Sequence, residues 1–182
     1  SIAQADFSDS GDTYSSTIEY LQQKGVIQGY GNDDFRPEQD ITRAEFIKIL
    51  LTNYGFEPND ETASIKHPYQ DVDENAWYAP YIQKAWETGI LENKTLINPS
   101  ETITRAEGAK LMLNLLGVPL PRVIDKDSWT LEYRDVSYDA WFAPVVLYGE
   151  LYGLVGPLNA TEEDYFRPLK RLSRGESTLF MY

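Results

Sequence analysis

The amino-acid sequence predicts an all-α fold, in which three helix-loop-helix repeats form a pseudo-threefold, three-pronged bundle. Three observations carry this prediction: one pattern occurs three times, the same helix-start motif follows at the same offset, and a glycine ends a helical stretch in each copy. A segment of about 50 residues buries too little apolar surface to be stable alone. We therefore expect the repeats, residues 6–60, 61–125 and 126–182, to share one core.

The first helix of each repeat follows a short aromatic motif. Each copy opens with an aromatic residue, any residue and an aspartate; a polar turn and a second aromatic residue follow, and we expect the helix to begin after that aromatic. Apolar residues then recur at helical spacing. A glycine at the end of the stretch fits a left-handed C-cap. The three copies contain, in order, Asp9, Tyr14 and Gly25; Asp71, Trp77 and Gly89; Asp135, Trp141 and Gly153.

The second helix of each repeat begins with the capping-box pattern S/T-x-x-E. In this box the N-cap hydroxyl accepts a hydrogen bond from the N3 amide, and the glutamate accepts one from the N-cap amide. An isoleucine or leucine precedes each box and can act as a hydrophobic staple. Each helix start is therefore strongly encoded. The predicted structural caps are Thr42 with Glu45, Thr104 with Glu107, and Ser173 with Glu176.

The composition excludes several classes of function. The 182 residues carry a net charge of −13, whereas recognition of nucleic acid by a broad surface needs clustered lysine and arginine. No apolar run approaches the ~20 residues that cross a bilayer. The chain lacks cysteine, so disulfides and zinc-thiolate sites are absent. An anionic ligand therefore requires a local pocket built from a few arginines. Near the N-terminus, Ala3-Gln4-Ala5 fits either the end of a secretory signal or a cloning remnant.

The ordered set of motifs resembles the S-layer homology family. It includes Gly29-Tyr30-Gly31 before Phe35-Arg36-Pro37 and the Ile-Thr-Arg-Ala-Glu helix starts, and the resemblance covers nearly the whole chain. It implies a domain whose inter-repeat grooves bind a secondary cell-wall polysaccharide, an anionic polymer that often bears pyruvate ketals. It implies an extracellular, wall-bound module of a larger exported bacterial protein, which we expect to be monomeric, without catalysis, cofactor or metal.

The repeats depart from the family pattern at a few positions. The first repeat has Tyr14 where the others have tryptophan. The second repeat lacks the Gly-Tyr-Gly loop and has Asn98 in place of arginine. The third repeat has a longer loop and Gly175 in place of alanine.

The arginine after each predicted N-cap is the principal candidate for ligand binding. Each guanidinium would lie beside the positive end of a helix dipole, where a carboxylate can be held bidentately. An arginine in a first turn is slightly unfavourable for the helix itself, so its threefold occurrence calls for a partner. The alternative partner is a neighbouring aspartate or glutamate. The three arginines are Arg43, Arg105 and Arg174.

Other candidates belong to the same motifs, each with a structural alternative. Trp77, Trp141 and Tyr14 can stack on a sugar ring or pack between repeats. Gly29 and Gly31 can admit a ligand to the backbone or simply form a tight turn. The aspartates can contact ligand, cap the first helix or orient groove residues. These are Asp9, Asp71 and Asp135.

Several other chemistries are set aside. Asp71-x-Asp73-x-Asn75 imitates the start of an EF-hand loop, but Ile82 stands where the bidentate glutamate is required. His67 is the sole histidine, so multi-histidine metal sites are excluded. The second functional hypothesis is a protein-interaction or self-assembly module of a surface layer, because 13% of the residues are aromatic. An enzyme acting on wall glycans ranks third, since carboxylates are abundant but no positioned pair is visible.

Overall fold

The computed structural model describes residues 7–58, 67–156 and 163–182, and these contain six α-helices. No strand occurs within these ranges, so the all-α prediction is confirmed. Ala3-Gln4-Ala5 and the expected boundary between residues 60 and 61 lie outside the described residues. The helices are α1 (Gly11–Gln23), α2 (Arg43–Asn53), α3 (Ala79–Glu87), α4 (Arg105–Leu115), α5 (Ala143–Leu151) and α6 (Arg174–Leu179).

The second helices, α2, α4 and α6, begin where their capping boxes lie. At all three starts the N-cap hydroxyl accepts from the N3 amide and the N3 glutamate accepts from the N-cap amide. Each N-cap has an extended backbone, as a capping residue requires. The consequence is that one arginine occupies the first turn of each second helix.

The first helices, α1, α3 and α5, differ in where they begin. Both α3 and α5 start after their tryptophan and carry a proline in the first turn, where a missing N–H costs nothing. The expectation that the helix follows the aromatic is wrong for the first repeat, because α1 already contains Tyr14. That helix has no such proline and carries Asp12 in its first turn. All three helices are followed by a glycine of positive φ, namely Gly25 (72°), Gly89 (76°) and Gly153 (67°).

A closed ring of backbone hydrogen bonds joins the residues that precede the three second helices. The Ile41 amide donates to Leu172 (3.0 Å), the Leu172 amide to Ile103 (2.9 Å), and the Ile103 amide to Ile41 (3.1 Å). All three side chains are fully buried. The three helix starts thus share a common centre, which favours the interpretation as a pseudo-threefold bundle.

The helices pair across repeats rather than within them. Helix α3 packs on α2, α5 packs on α4, and α1 returns to pack on α6. Each pairing joins the first helix of one repeat to the second helix of another, so the three seams follow one another around the ring. Large buried side chains fill the core beneath them, including Phe35, Phe46, Leu50, Ile82 and Leu113.

Candidate functional site

Two grooves open at the seams between repeats. Groove A, defined by Arg174, Lys48 and Trp77, lies at the α2–α3 seam and has a volume of about 180 Å³. Groove B lies at the α4–α5 seam and has a volume of about 470 Å³. Its corresponding residues are Arg43, Lys110 and Trp141. Each groove therefore draws its arginine, lysine and tryptophan from three different repeats.

In groove A, Arg174 is held by backbone carbonyls and aromatic rings. Its Nε donates to the Phe35 carbonyl (3.1 Å) and its Nη2 to the Gln28 carbonyl (3.3 Å). The guanidinium lies over the rings of Tyr30 (4.7 Å) and Phe35 (4.6 Å). No carboxylate of the described residues pairs with it, so the salt-bridge alternative does not hold for this arginine.

In groove B, Arg43 does have an acidic partner. Its Nη2 donates to Glu107 Oε1 (2.6 Å), and its Nη1 donates to the carbonyls of Ile97 (2.7 Å) and Asn98 (3.3 Å). The arginine nevertheless lines the groove. Tyr69 also lines it and donates its hydroxyl to a backbone carbonyl. Burial raises the pKa of Tyr69 to about 12, so this phenol stays neutral at physiological pH.

Arg105 occupies the third equivalent position but is enclosed. Only 7% of the residue is exposed, and its guanidinium lies over the ring of Phe166 (4.7 Å). Its Nη2 donates to the Gly156 carbonyl, while its buried Nε has no hydrogen-bond partner among the described residues. Burial lowers the pKa of Arg105 from its usual value. It lines neither groove A nor groove B.

The two predicted tryptophans stand at the rims of the grooves, not in the core. Trp77 is 53% exposed and Trp141 is 50% exposed. Each has a lysine above its ring: Lys48 Nζ is 5.6 Å from the Trp77 centroid, and Lys110 Nζ is 5.8 Å from that of Trp141. The sequence interpretation missed both lysines. The signal was present, since each is the fifth residue after the arginine of a capping box.

Tyr14 is placed differently from the tryptophans that it replaces. Its ring packs against Gly175 so closely that a Cβ there would lie 2.6 Å from Tyr14 Cδ2. Burial raises the pKa of Tyr14, and the nearby Glu176 acts in the same direction. Leu179 stands where the other seams have lysine. Tyr14 and Gly175 both depart from the family pattern. They therefore form a matched pair that packs together at the α1–α6 seam.

The three aspartates brace the loop that precedes each second helix. Their carboxylates accept hydrogen bonds from two successive backbone amides, so of the alternatives left open by the sequence, capping of the first helix does not hold. The residue at the N-cap of that helix is Ser10, Tyr78 or Phe142, without a side-chain cap. Although partial burial raises the pKa of Asp9, these amide bonds hold it below its usual value. The pairs are Asp9 with Phe35 and Arg36 (2.8 and 2.7 Å), Asp71 with Ile97 and Asn98 (3.0 and 2.6 Å), and Asp135 with Phe166 and Arg167 (2.9 and 2.7 Å).

Gly29 and Gly31 shape the loop beside groove A. A Cβ on Gly29 would lie 2.3 Å from the ring of Phe7, and Gly31 has a φ of 95°. Neither lines the groove. These observations favour the tight-turn interpretation. The turn presents Tyr30, which lies between them and against Arg174.

Comparison with known families identifies the repeated unit. Residues 6–47 and 68–109 match the family model of the S-layer homology domain. The chain carries S-layer homology repeats at these two places. The model does not extend to the segment 126–182, so a third S-layer homology repeat stays a prediction. S-layer homology domains are non-catalytic anchoring domains found on the bacterial cell surface.

Proteins related to the chain include surface-layer proteins and enzymes. It is 30% identical over 103 residues to a "Surface layer protein" of Brevibacillus choshinensis, a match that covers 56% of the chain and 9% of the relative. It is 26% identical over 178 residues to an "Amylopullulanase" of Thermoanaerobacterium thermosulfurigenes, covering 97% of the chain and 9% of that protein. A "Surface-layer 125 kDa protein" of Lysinibacillus sphaericus is 32% identical over 99 residues, covering 53% and 8%. The matched segment is thus a small part of each relative.

Two further observations concern the part of the chain that the structure describes. No helix there is long and apolar enough to cross a membrane. No group of three or more histidine, aspartate or glutamate side chains within residues 7–58, 67–156 and 163–182 could hold a metal ion. The carboxylate of Asp71, from the EF-hand-like stretch, is used by backbone amides.

Proposed function

We propose that this chain anchors a larger exported protein to the bacterial cell wall by binding a secondary cell-wall polysaccharide in grooves A and B. The observation that carries the proposal is that each groove places an arginine and a lysine beside a half-exposed tryptophan. A tryptophan face offers a large apolar surface for a sugar ring at little cost in side-chain entropy. The cations suit a negatively charged substituent such as the carboxylate of a pyruvate ketal.

The grooves are held in shape before any ligand arrives. Arg174 and Arg43 are fixed by carbonyls of the loops that Asp9 and Asp71 brace. Because these side chains are already ordered, binding loses less conformational entropy than it would at a mobile surface. In this scheme Asp9 and Asp71 position the arginines, and Gly29 and Gly31 shape the adjacent turn. Direct contact with ligand comes from the arginine, lysine and tryptophan of each groove.

The relatives support an attachment role. Two surface-layer proteins match 56% and 53% of the chain, and an amylopullulanase matches 97% of it, although their names imply different activities. A module shared by proteins of such different function is expected to supply location, not chemistry. We therefore propose that the chain is a non-catalytic part of a larger protein on the bacterial surface, and that residues 126–182 complete it as a third repeat.

Cosedimentation with purified, protein-free cell walls tests this function. A panel of walls from Brevibacillus choshinensis, Lysinibacillus sphaericus and Thermoanaerobacterium thermosulfurigenes covers the organisms of the relatives. We expect the wild-type chain to pellet with at least one of these walls. The double variant Lys48→Ala/Lys110→Ala should reduce binding by roughly tenfold or more, the equivalent of about 1.4 kcal/mol.

The matched control is Lys126→Ala/Trp129→Ala. These side chains lie outside both grooves and are exposed, so their loss should leave wall binding unchanged. Circular dichroism should give the same helical signal for all three proteins. If the wild type pellets with none of the walls, the proposal is contradicted. Full binding by the double lysine variant contradicts it as well. Concentration-dependent oligomers without wall binding would instead favour the self-assembly hypothesis.

A further inference from the structure

The two grooves differ in charge at one equivalent position. After the glycine that ends the first helix, the third residue is Gln28 in groove A and Glu92 in groove B. Both residues line their grooves. The surrounding arginine, lysine and tryptophan are the same in type in both grooves. At this position, therefore, the grooves differ by a neutral amide in groove A and a carboxylate in groove B.

In groove B, Glu92 neutralises the lysines. Its carboxylate forms an ion pair with Lys110 and another with Lys94 (3.1 Å). The hydrogen bond from Lys110 holds the pKa of Glu92 below its usual value, so the carboxylate is ionised at physiological pH. Arg43 in the same groove is paired with Glu107. Every cation that lines groove B therefore already has a carboxylate partner.

In groove A the two cations have no such partner among the described residues. Lys48 lies over Trp77 and forms no ion pair there, and Arg174 donates only to backbone carbonyls. Glu45 also lines this groove, and its carboxylate accepts from the amide (2.8 Å) and hydroxyl (2.7 Å) of Thr42 in the capping box. Groove A thus presents two cations whose charge is not neutralised by a direct carboxylate contact.

We propose that Gln28 and Glu92 set different ligand preferences, so that groove A favours an anionic sugar residue of the polymer more strongly than groove B does. The inference rests on the proposed function, since it assumes that both grooves bind saccharide. A ligand carboxylate entering groove B meets the charge of Glu92 and competes with it for Lys94 and Lys110. One unit charge a few ångströms away in a water-exposed site changes affinity by roughly fourfold.

Site-resolved titration tests the preference. The ¹⁵N-labelled protein is titrated with methyl β-D-glucuronide and, separately, with methyl β-D-glucoside, which has a hydroxymethyl group in place of the carboxylate. The indole N–H signals of Trp77 and Trp141 report grooves A and B, and the variants Trp77→Phe and Trp141→Phe assign them. We expect the ratio of glucuronide affinity to glucoside affinity to be about fourfold higher at Trp77 than at Trp141.

Exchanging the two residues should exchange the preferences. In Glu92→Gln the affinity ratio at Trp141 should rise about fourfold while that at Trp77 stays constant. In Gln28→Glu the ratio at Trp77 should fall by a similar factor. Glu132→Gln is the control, because it removes the same charge from a residue that lines neither groove. The proposed preference is overturned if the two wild-type grooves have equal affinity ratios, or if neither exchange changes the ratio. It is also overturned if neither indole signal responds to either saccharide.

The wall assay separates this result from the proposed function. If the wild type pellets with walls but the exchanges leave both affinity ratios unchanged, the preference is wrong and the anchoring function stands. If the exchanges alter the ratios as expected but no wall is bound, the anchoring function is wrong and the charge assignment of the grooves stands.

Discussion

The α1–α6 seam differs from grooves A and B although all three seams are built on the same backbone plan. Tyr14 replaces a rim tryptophan and packs on Gly175, Leu179 replaces the lysine, and Arg105 is enclosed against Phe166. The capping box is nevertheless intact at α6. The difference indicates that the capping box serves the fold at every seam, and we propose that an arginine, a lysine and a half-exposed tryptophan together make a seam suitable for a ligand.

Removing the rim aromatics is expected to have the largest effect on this comparison. Trp77→Ala/Trp141→Ala should weaken wall binding by more than tenfold, because both exposed stacking faces are lost. Tyr14→Phe removes only a hydroxyl at the third seam and should leave binding unchanged. Cosedimentation with purified walls measures both. Equal losses in the two proteins would show that the third seam also carries ligand.

Filling the space beside Tyr14 tests whether the third seam is a packing interface. Gly175→Ala introduces a Cβ 2.6 to 2.9 Å from three Tyr14 ring atoms and should lower the free energy of unfolding by about 2 kcal/mol. In the background of Tyr14→Ala the same change should cost much less, because the ring is gone. Urea denaturation of the four proteins gives the coupling energy. A coupling near zero would contradict the matched-pair interpretation.

Removing an N-cap hydroxyl tests the claim that the boxes serve the fold at every seam. Thr42→Ala and Ser173→Ala should each lower the free energy of unfolding by about 1 kcal/mol, since each leaves an N3 amide without its acceptor. Thermal denaturation measures the loss, with the conservative Thr42→Ser as control. Wall binding at low temperature should stay unchanged, and a selective loss of binding in either variant would assign the box to the ligand.

The smallest expected effect concerns Asp9, whose carboxylate braces the loop beside groove A. Because the folded-state pKa of Asp9 is lowered, its contribution to stability is present above the unfolded pKa and is lost as the pH falls through the folded value. We expect the midpoint of acid unfolding to move slightly in Asp9→Asn, which removes that titration. Fluorescence-detected denaturation at a series of acidic pH values measures the shift. An identical pH profile in the variant would show that the brace adds nothing beyond its neutral hydrogen bonds.

The sequence was sufficient where the interaction is local. The N-cap hydroxyl and its glutamate are three residues apart, so S/T-x-x-E encodes the helix start independently of the tertiary structure. The role of Asp9 stayed open among several alternatives for the opposite reason: its carboxylate accepts from amides at residues 35 and 36, well beyond the range of a local motif. Lys48 and Lys110 were overlooked because their importance depends on a tryptophan from another repeat.

The sequence by itself determined the all-α class, the order of the motifs, the three helix starts and the glycines that end the first helices, because each depends on hydrogen bonds and backbone angles within a few residues. Only the tertiary structure decided what each arginine contacts. Arg174 meets the Phe35 carbonyl 139 positions away, Arg43 meets Glu107, and Arg105 meets an aromatic ring. The physical reason is that each seam is built by packing between repeats, and one repeated motif therefore enters three different environments.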